Sequence, residues 1–158
     1  MIIGSVKELG QYKIKISSAL RKSDNIKEIL LGVGYDEETA EDDLKEYIIN
    51  HLYDDDVITE TKTYILFDVD MDNMRPNTKD CNVFMKFICH KSILDNYRKD
   101  GYYGNRADIL TQIVEEIMTD EEIEEKFGIG DIQFRKVGIY DTKTMYGRIA
   151  KLSVPNFR

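Results

Sequence analysis

Long apolar runs, paired cysteines and histidines at ligand spacing are all missing from this 158-residue chain. No run approaches the roughly 18–20 apolar residues of a membrane-spanning helix, so no membrane association is expected. Met1, Ile2, Ile3 and Gly4 meet Lys7 and Glu8 too soon to build the apolar core of a signal peptide, and synthesis in the cytosol is expected. The two cysteines, Cys81 and Cys89, fall in or beside one predicted strand. Extended chain holds them roughly 25 Å apart, beyond disulfide reach, which predicts reduced thiols. A zinc site would need a second pair of ligands, but His51 and His90 have no motif spacing. Neither a metal nor a cofactor is expected.

What is present is an ordinary globular composition, 42% hydrophobic and 33% charged, in a length that suits one domain with one core. The net charge of −8 is unevenly spread. Residues 36–56 hold ten acids against Lys45 alone, and residues 119–131 hold six against Lys126 alone. Residues 132–158 reverse the sign, with six Lys or Arg against Asp141. This asymmetry suits contacts between copies or with a charged partner. It disfavours general nucleic-acid affinity, because most of the surface would repel a phosphate backbone.

Periodicity organises the chain around residues 82–118. Val83, Met85, Phe87 and Cys89 alternate onto one face of a predicted strand, with Phe84, Lys86, Ile88 and His90 on the other. A polar and aromatic connector, 92–104, is expected to be a surface excursion. An amphipathic helix follows, its stripe made by Ile109, Leu110, Ile113, Val114, Ile117 and Met118, with Asn105 as N-cap and Asp108 three residues on. Upstream, Ser5–Glu8 reads as a capping box that opens a helix over 5–21. A short second helix follows Ser23 and stops at Gly32 and Gly34, and a third is predicted over 37–52. A strand region over 57–71 turns Ile65, Phe67, Val69 and Met71 inward and Asp68 and Asp70 outward, with Asp72 continuing the alternation. A short acidic helix at 120–126 and two strands, about 132–140 and 146–154, complete the chain, the last ended by Pro155. This order predicts an α+β fold in a single domain, 1–158: a helical part at 1–56, then at 57–158 a mainly antiparallel or mixed sheet packed by the amphipathic helix and closed by a hairpin.

No catalytic constellation emerges. Asp68 and Asp70 resemble the D-x-D strand end of haloacid-dehalogenase-type phosphatases, but Met71 and Asp72 stand where a small residue and a threonine belong. As an EF-hand, the run Asp68, Asp70, Asp72 lacks the sixth-position glycine (Asn73) and has Lys79 in place of the closing glutamate. Glu60-Thr61-Lys62 imitates a nuclease core with Asp56 too close upstream, and Gly128-x-Gly130 has the wrong flanking elements for a dinucleotide loop. Cys89 and His90 point to opposite faces and cannot share a proton. The chain is expected not to be an enzyme.

The layout resembles that of the tail-terminator and neck proteins of tailed bacteriophages and phage-like contractile particles. The resemblance is carried by ISSALRKSDNIKEILL (16–31), YILFDV (64–69) followed by VFMKFICH (83–90), NRAD (105–108) opening a helix, and the ending FGIGDIQF (127–134) with YGRIAKLSVPNF (146–157). It implies a structural virion subunit, assembled in the host cytoplasm, that forms a ring, commonly six-fold, on the tail tube. The ring would meet tail-tube and connector proteins and let DNA pass without specific binding. Asp68, Asp70 and Asp72 are the candidate lining of its lumen, since carboxylates repel phosphates. The alternative is an acidic immunity or inhibitor-type module that covers the basic site of a nuclease.

Overall fold

Alternating apolar residues give the sheet its two unlike faces. The computed structural model describes residues 6–52, 60–75, 79–120 and 132–157, with the side chains of Lys79 and of 155–157 left aside. Its strands are β1 (Ile48–Ile49), β2 (Thr63–Asp72), β3 (Lys79–His90), β4 (Gln133–Asp141) and β5 (Met145–Phe157). They form a mixed sheet in the order β1-β2-β3-β5-β4, antiparallel except for the β1–β2 pair. The helices are α1 (Lys7–Arg21), α2 (Asp24–Leu31), α3 (Ala40–Asp43) and α4 (Arg106–Met118). The fold is α+β, as the sequence predicts.

One core joins the helical part to the sheet. Ile65, Phe67 and Val69 of β2 line up across β3 residues Phe87, Met85 and Val83, which in turn face Ala150 and Leu152 of β5. Over this face pack Tyr12, Ile16 and Leu20 of α1, Ile26 and Ile29 of α2, and the predicted stripe of α4. Each such fully buried side chain contributes about 1.5–3 kcal/mol by leaving water. The other face carries a smaller apolar cluster, Tyr64, Leu66, Ile88 and Met145, flanked by Tyr47, Ile49 and Tyr140. Beyond that cluster the second face turns polar, with Asp68, Asp70 and Lys136 at its margins. Among the described residues no helix is long and apolar enough to cross a membrane.

Two local expectations need correcting, the helix over 37–52 and the strand end at Pro155. The segment 37–52 is not one helix: α3 lasts one turn, a 3-10 turn follows at Leu44–Glu46, and Ile48–Ile49 become β1. Three consecutive acids at 41–43 favour only a helix start, whereas the β-branched Ile48 and Ile49 gain a ladder on β2, where Ile65 N–H donates to the Tyr47 carbonyl at 2.9 Å. The connector 92–104 does run over the surface, as expected, but two of its tyrosines are anchored. Tyr97 is buried and donates to Glu28 at 2.7 Å, and Tyr102 donates to Glu116 at 2.6 Å. Pro155 does not end β5, which continues to Phe157; a register shift opposite Lys79–Cys81 falls at the proline, where a missing N–H costs least. The Ser5–Glu8 capping box rests on Ser5, which lies outside the described residues; α1 is described from Lys7. All but Asp120 of the helix expected at 120–126, and the Gly128–Gly130 turn, also lie outside them.

Candidate functional site at the acidic corner of the sheet

The two-residue period of β2 brings Asp68, Asp70 and Asp72 to one face near the strand's C-terminal end, as predicted. Each is held differently. The Asp68 carboxylate takes an ion pair from Lys13 of α1 at 2.7 Å and accepts the N–H of Val69 at 2.8 Å. Lys13 also donates to the Asn50 carbonyl at 3.0 Å, so this one ammonium ties α1 to the chain leaving β1 and to β2. Asp70 and Asp72 both accept from the side-chain amide of Asn82, at 2.9 and 3.1 Å. Asn82 pairs with Asp70 across the β2–β3 ladder, which places its amide between the two carboxylates. At the hairpin end, Asp80 accepts from Asn73 at 2.7 Å and lies 3.8 Å from Arg75.

The corner is therefore a fixed acidic surface. A metal site is not formed: among the described residues no three His, Cys, Asp or Glu side chains come together to hold an ion. The EF-hand reading fails geometrically as well, since Asp68, Asp70 and Asp72 all lie within a regular strand that runs straight into a hairpin. For phosphatase chemistry, a nucleophilic carboxylate needs a cation bridging it to phosphate. Here Asp68 is already occupied by Lys13 and by its neighbour's N–H.

The other sequence candidates separate. Cys89 is buried on the core face, its thiol pushed up by that burial, and its Sγ contacts the His90 carbonyl at 3.3 Å. His90 turns the other way and caps the 3-10 turn Lys91–Ile93, its Nδ1 accepting from Ser92 N–H at 3.1 Å. Glu60 and Lys62 pair with one another at 2.8 Å, and Lys62 lies over the Tyr47 ring. Asp56, the third member of that motif, lies outside the described residues.

Two surfaces were not singled out by sequence reading. A polar groove of about 300 Å³ is lined by Leu31, Tyr35, Asp36, Asp42, Asp43, Glu46 and Tyr47, gathered where the chain leaves α2 and turns through α3. The second is the connector itself, anchored by Arg106. Its guanidinium donates to the carbonyls of Ile93 at 3.0 Å and Ile29 at 3.3 Å and to Asn96 at 2.7 Å, and it stacks over the Tyr97 ring. A planar donor fork can serve several acceptors at once, and here it joins α2, the connector and the start of α4. The only sequence signal for it was its place at the first position of a capped helix.

Comparison with curated proteins gives no match. The sequence pattern of the YomW family matches residues 14–153, from the middle of α1 to Ser153 of β5. That range takes in Asp68, Asp70, Asp72 and Asn82 as well as the sheet core up to Leu152. The chain belongs to the YomW family, a phage-type family.

Proposed function

We propose that this phage-associated protein is a structural, non-enzymatic virion subunit of the tail-terminator or neck kind. Copies would form a ring, six-fold as in the proteins it resembles, that caps the tail tube and joins it to the head-side connector. The observation that carries the reading is the corner built from Asp68, Asp70 and Asp72, whose carboxylates are held in place by Lys13 and Asn82. A rigid acidic surface repels phosphates and lets DNA slide past without sticking. Ring contacts would draw on the remaining charge asymmetry, with the basic side of the sheet around Lys151 meeting the acid-rich 36–46 segment of the next copy. The subunit would assemble in the host cytoplasm and reside in the virion.

The test is co-expression with the tail-tube and connector proteins of the same phage, followed by electron microscopy. Rings seated at one end of tubes of defined length are expected. Tubes of unregulated length, with the protein neither forming rings nor joining particles, would overturn the reading. A second reading, an acidic inhibitor-type module, draws on the groove around Asp36, Asp42, Asp43 and Glu46. It requires a 1:1 complex with a basic nuclease, weakened by added salt and by charge reversal at Asp42 and Asp43.

A further inference from the structure

The two edges of the sheet are finished in different ways. On the β2 side the edge is occupied by β1, by the Asp68 carboxylate on Val69 N–H and by the Lys13 clamp. On the β4 side, among the described residues, no strand pairs with the outer edge. This edge is also apolar where it is regular: Val137 is 50% exposed and Ile139 67% exposed, both on the core-side face and flanking Gly138. Long edge strands of this kind are usually blunted by charge, proline or a covering element, because they template pairing with another chain. The bulge and the basic charges of β4 lie at one end, around Arg135 and Lys136, and Asp141 lies at the other, so no charge stands on 137–140 between them.

The backbone direction can be read from the hairpin. Thr142 N–H donates to the Met145 carbonyl at 2.9 Å, so Thr142 and Met145 form a hydrogen-bonded pair. Such pairs alternate along an antiparallel ladder. Tyr140 and Gly138 therefore direct their N–H and C=O towards β5, whereas Val137 and Ile139 direct theirs outward, away from the sheet.

We propose that β4 pairs with β4 of a second copy, antiparallel, about a two-fold axis through Gly138. Opposed residues of antiparallel strands share a face, so the axis must pass through a residue. An axis through Gly138 sets Val137 against Ile139 of the other copy, twice, and joins the four exposed side chains into one apolar patch. It also sets the outward N–H and C=O groups of each Val137 against those of Ile139 as hydrogen-bonded pairs. Lys136 then faces Tyr140 of the other copy, a cation beside an aromatic ring. Moving the axis to Ile139 would bring Val137 against Asp141, and moving it to Val137 would bring Ile139 against Arg135. Charge thus selects the central register. The contact closes at two copies and is separate from those of a ring. The proposal does not rest on the tail-terminator reading: rings lacking a β4–β4 pair would overturn it alone.

The diagnostic variant is Gly138→Cys. A residue on the axis faces its own copy in a non-hydrogen-bonded pair, with Cα atoms about 4.5 Å apart, within the roughly 4.4–6.8 Å range of disulfides. A Cβ at Gly138 has no neighbour nearer than 3.9 Å, and the native Cys81 and Cys89 are buried, so the new thiol would be the reactive one. Sedimentation of the native chain should show a monomer–dimer equilibrium, weakened at least tenfold by Ile139→Lys with an unchanged circular dichroism spectrum. Mild oxidation should convert Gly138→Cys to a covalent dimer, and Ile139→Lys in the same chain should suppress it. A native chain that stays monomeric up to high concentration, an absent cross-link, or a cross-link indifferent to Ile139→Lys would each overturn the proposal.

Discussion

Asp108 serves two elements at once: its Oδ1 accepts Arg148 Nε–H of β5 at 2.7 Å, while its Oδ2 accepts the N–H of Asn105 at 3.1 Å. Asn105 returns the bond through its own side chain to Asp108 N–H at 3.0 Å. The capping box that starts α4 is therefore also the point at which the helix is pinned to the sheet. The Asp108 bond keeps the Arg148 guanidinium charged beyond its ordinary range.

Removing either partner should cost more than a surface pair would. Asp108→Ala deletes a cap bond worth about 1 kcal/mol and a charge-assisted bond of about 1.5–3 kcal/mol, both partly shielded from water. Arg148→Met should lose only the second. A double-mutant cycle by urea unfolding should then return a coupling of about 1 kcal/mol or more. A coupling near zero would mean that the helix is held by its apolar stripe alone.

Lys27 and Glu37 supply the clearest pH dependence. The Lys27 side chain is only 6% exposed, and its ammonium meets Glu37, 66% exposed, at 3.0 Å. This hydrogen bond, first among the causes, lowers the Glu37 carboxyl below its ordinary 4.5 and raises Lys27 above its ordinary 10.5. A lowered carboxylate contributes stability in full above 4.5 that is lost as pH falls through its folded value. A raised lysine contributes stability in full below 10.5 that is lost as pH rises through its own. The pair is thus intact across neutral pH. Glu37→Gln should flatten the acid limb of the stability profile below about pH 5 and leave the slope between pH 6 and 9 unchanged. The comparison is made by denaturant unfolding across pH.

Elements whose cause is local were legible in the sequence, and those whose cause is distant were not. Alternation in 83–90 assigns Cys89 and His90 to opposite faces, and their contacts agree. Asn105 and Asp108 announce a capping box three residues apart, and it is present. The stop at Gly32 has the left-handed φ of 105° that favours glycine. By contrast, the acids over 36–46 satisfied the rule for a helix start, but no local rule says that Ile48 and Ile49 will find β2 seventeen residues on. Tyr97 and Tyr102 looked like loop aromatics because their partners, Glu28 and Glu116, come from other helices. At the acidic corner the period of β2 placed Asp68, Asp70 and Asp72 correctly. The groups that hold them, Lys13 and Asn82, come from other elements and had no signal.

Two glycines in the closing hairpin should behave oppositely. A Cβ on Gly147 would run into the carbonyl oxygen of Phe87 and the Cα of Ile88, both backbone of the central strand. Neither can swing aside as a side-chain tip can, so Gly147→Ala should cost about 3 kcal/mol or more. Gly138, in the neighbouring strand, has nothing closer than 3.9 Å at the same position. Gly138→Ala should stay within about 1 kcal/mol of the native chain. Equal losses at both sites would mean that β3 and β5 can separate locally to admit a methyl group. Thermal unfolding of the two variants decides the point.

The bridging amide of Asn82 gives the acidic corner its own test. Its two donors neutralise nothing; they hold Asp70 and Asp72 in a shared hydrogen bond while Asp68 is paired by Lys13. Asn82→Leu removes the amide and keeps the volume, at an expected loss of about 1–2 kcal/mol. Asn82→Asp removes it and adds a further carboxylate between the two, so the loss should be larger at low salt. Screening shortens from about 10 Å at 0.1 M to about 3 Å at 1 M salt, and the excess loss in Asn82→Asp should shrink accordingly. Denaturation of both variants at the two salt concentrations separates the contributions. If they lose the same stability and neither responds to salt, the carboxylates act as independent solvated groups, and a rigid acidic surface at this corner cannot be the feature that meets passing DNA.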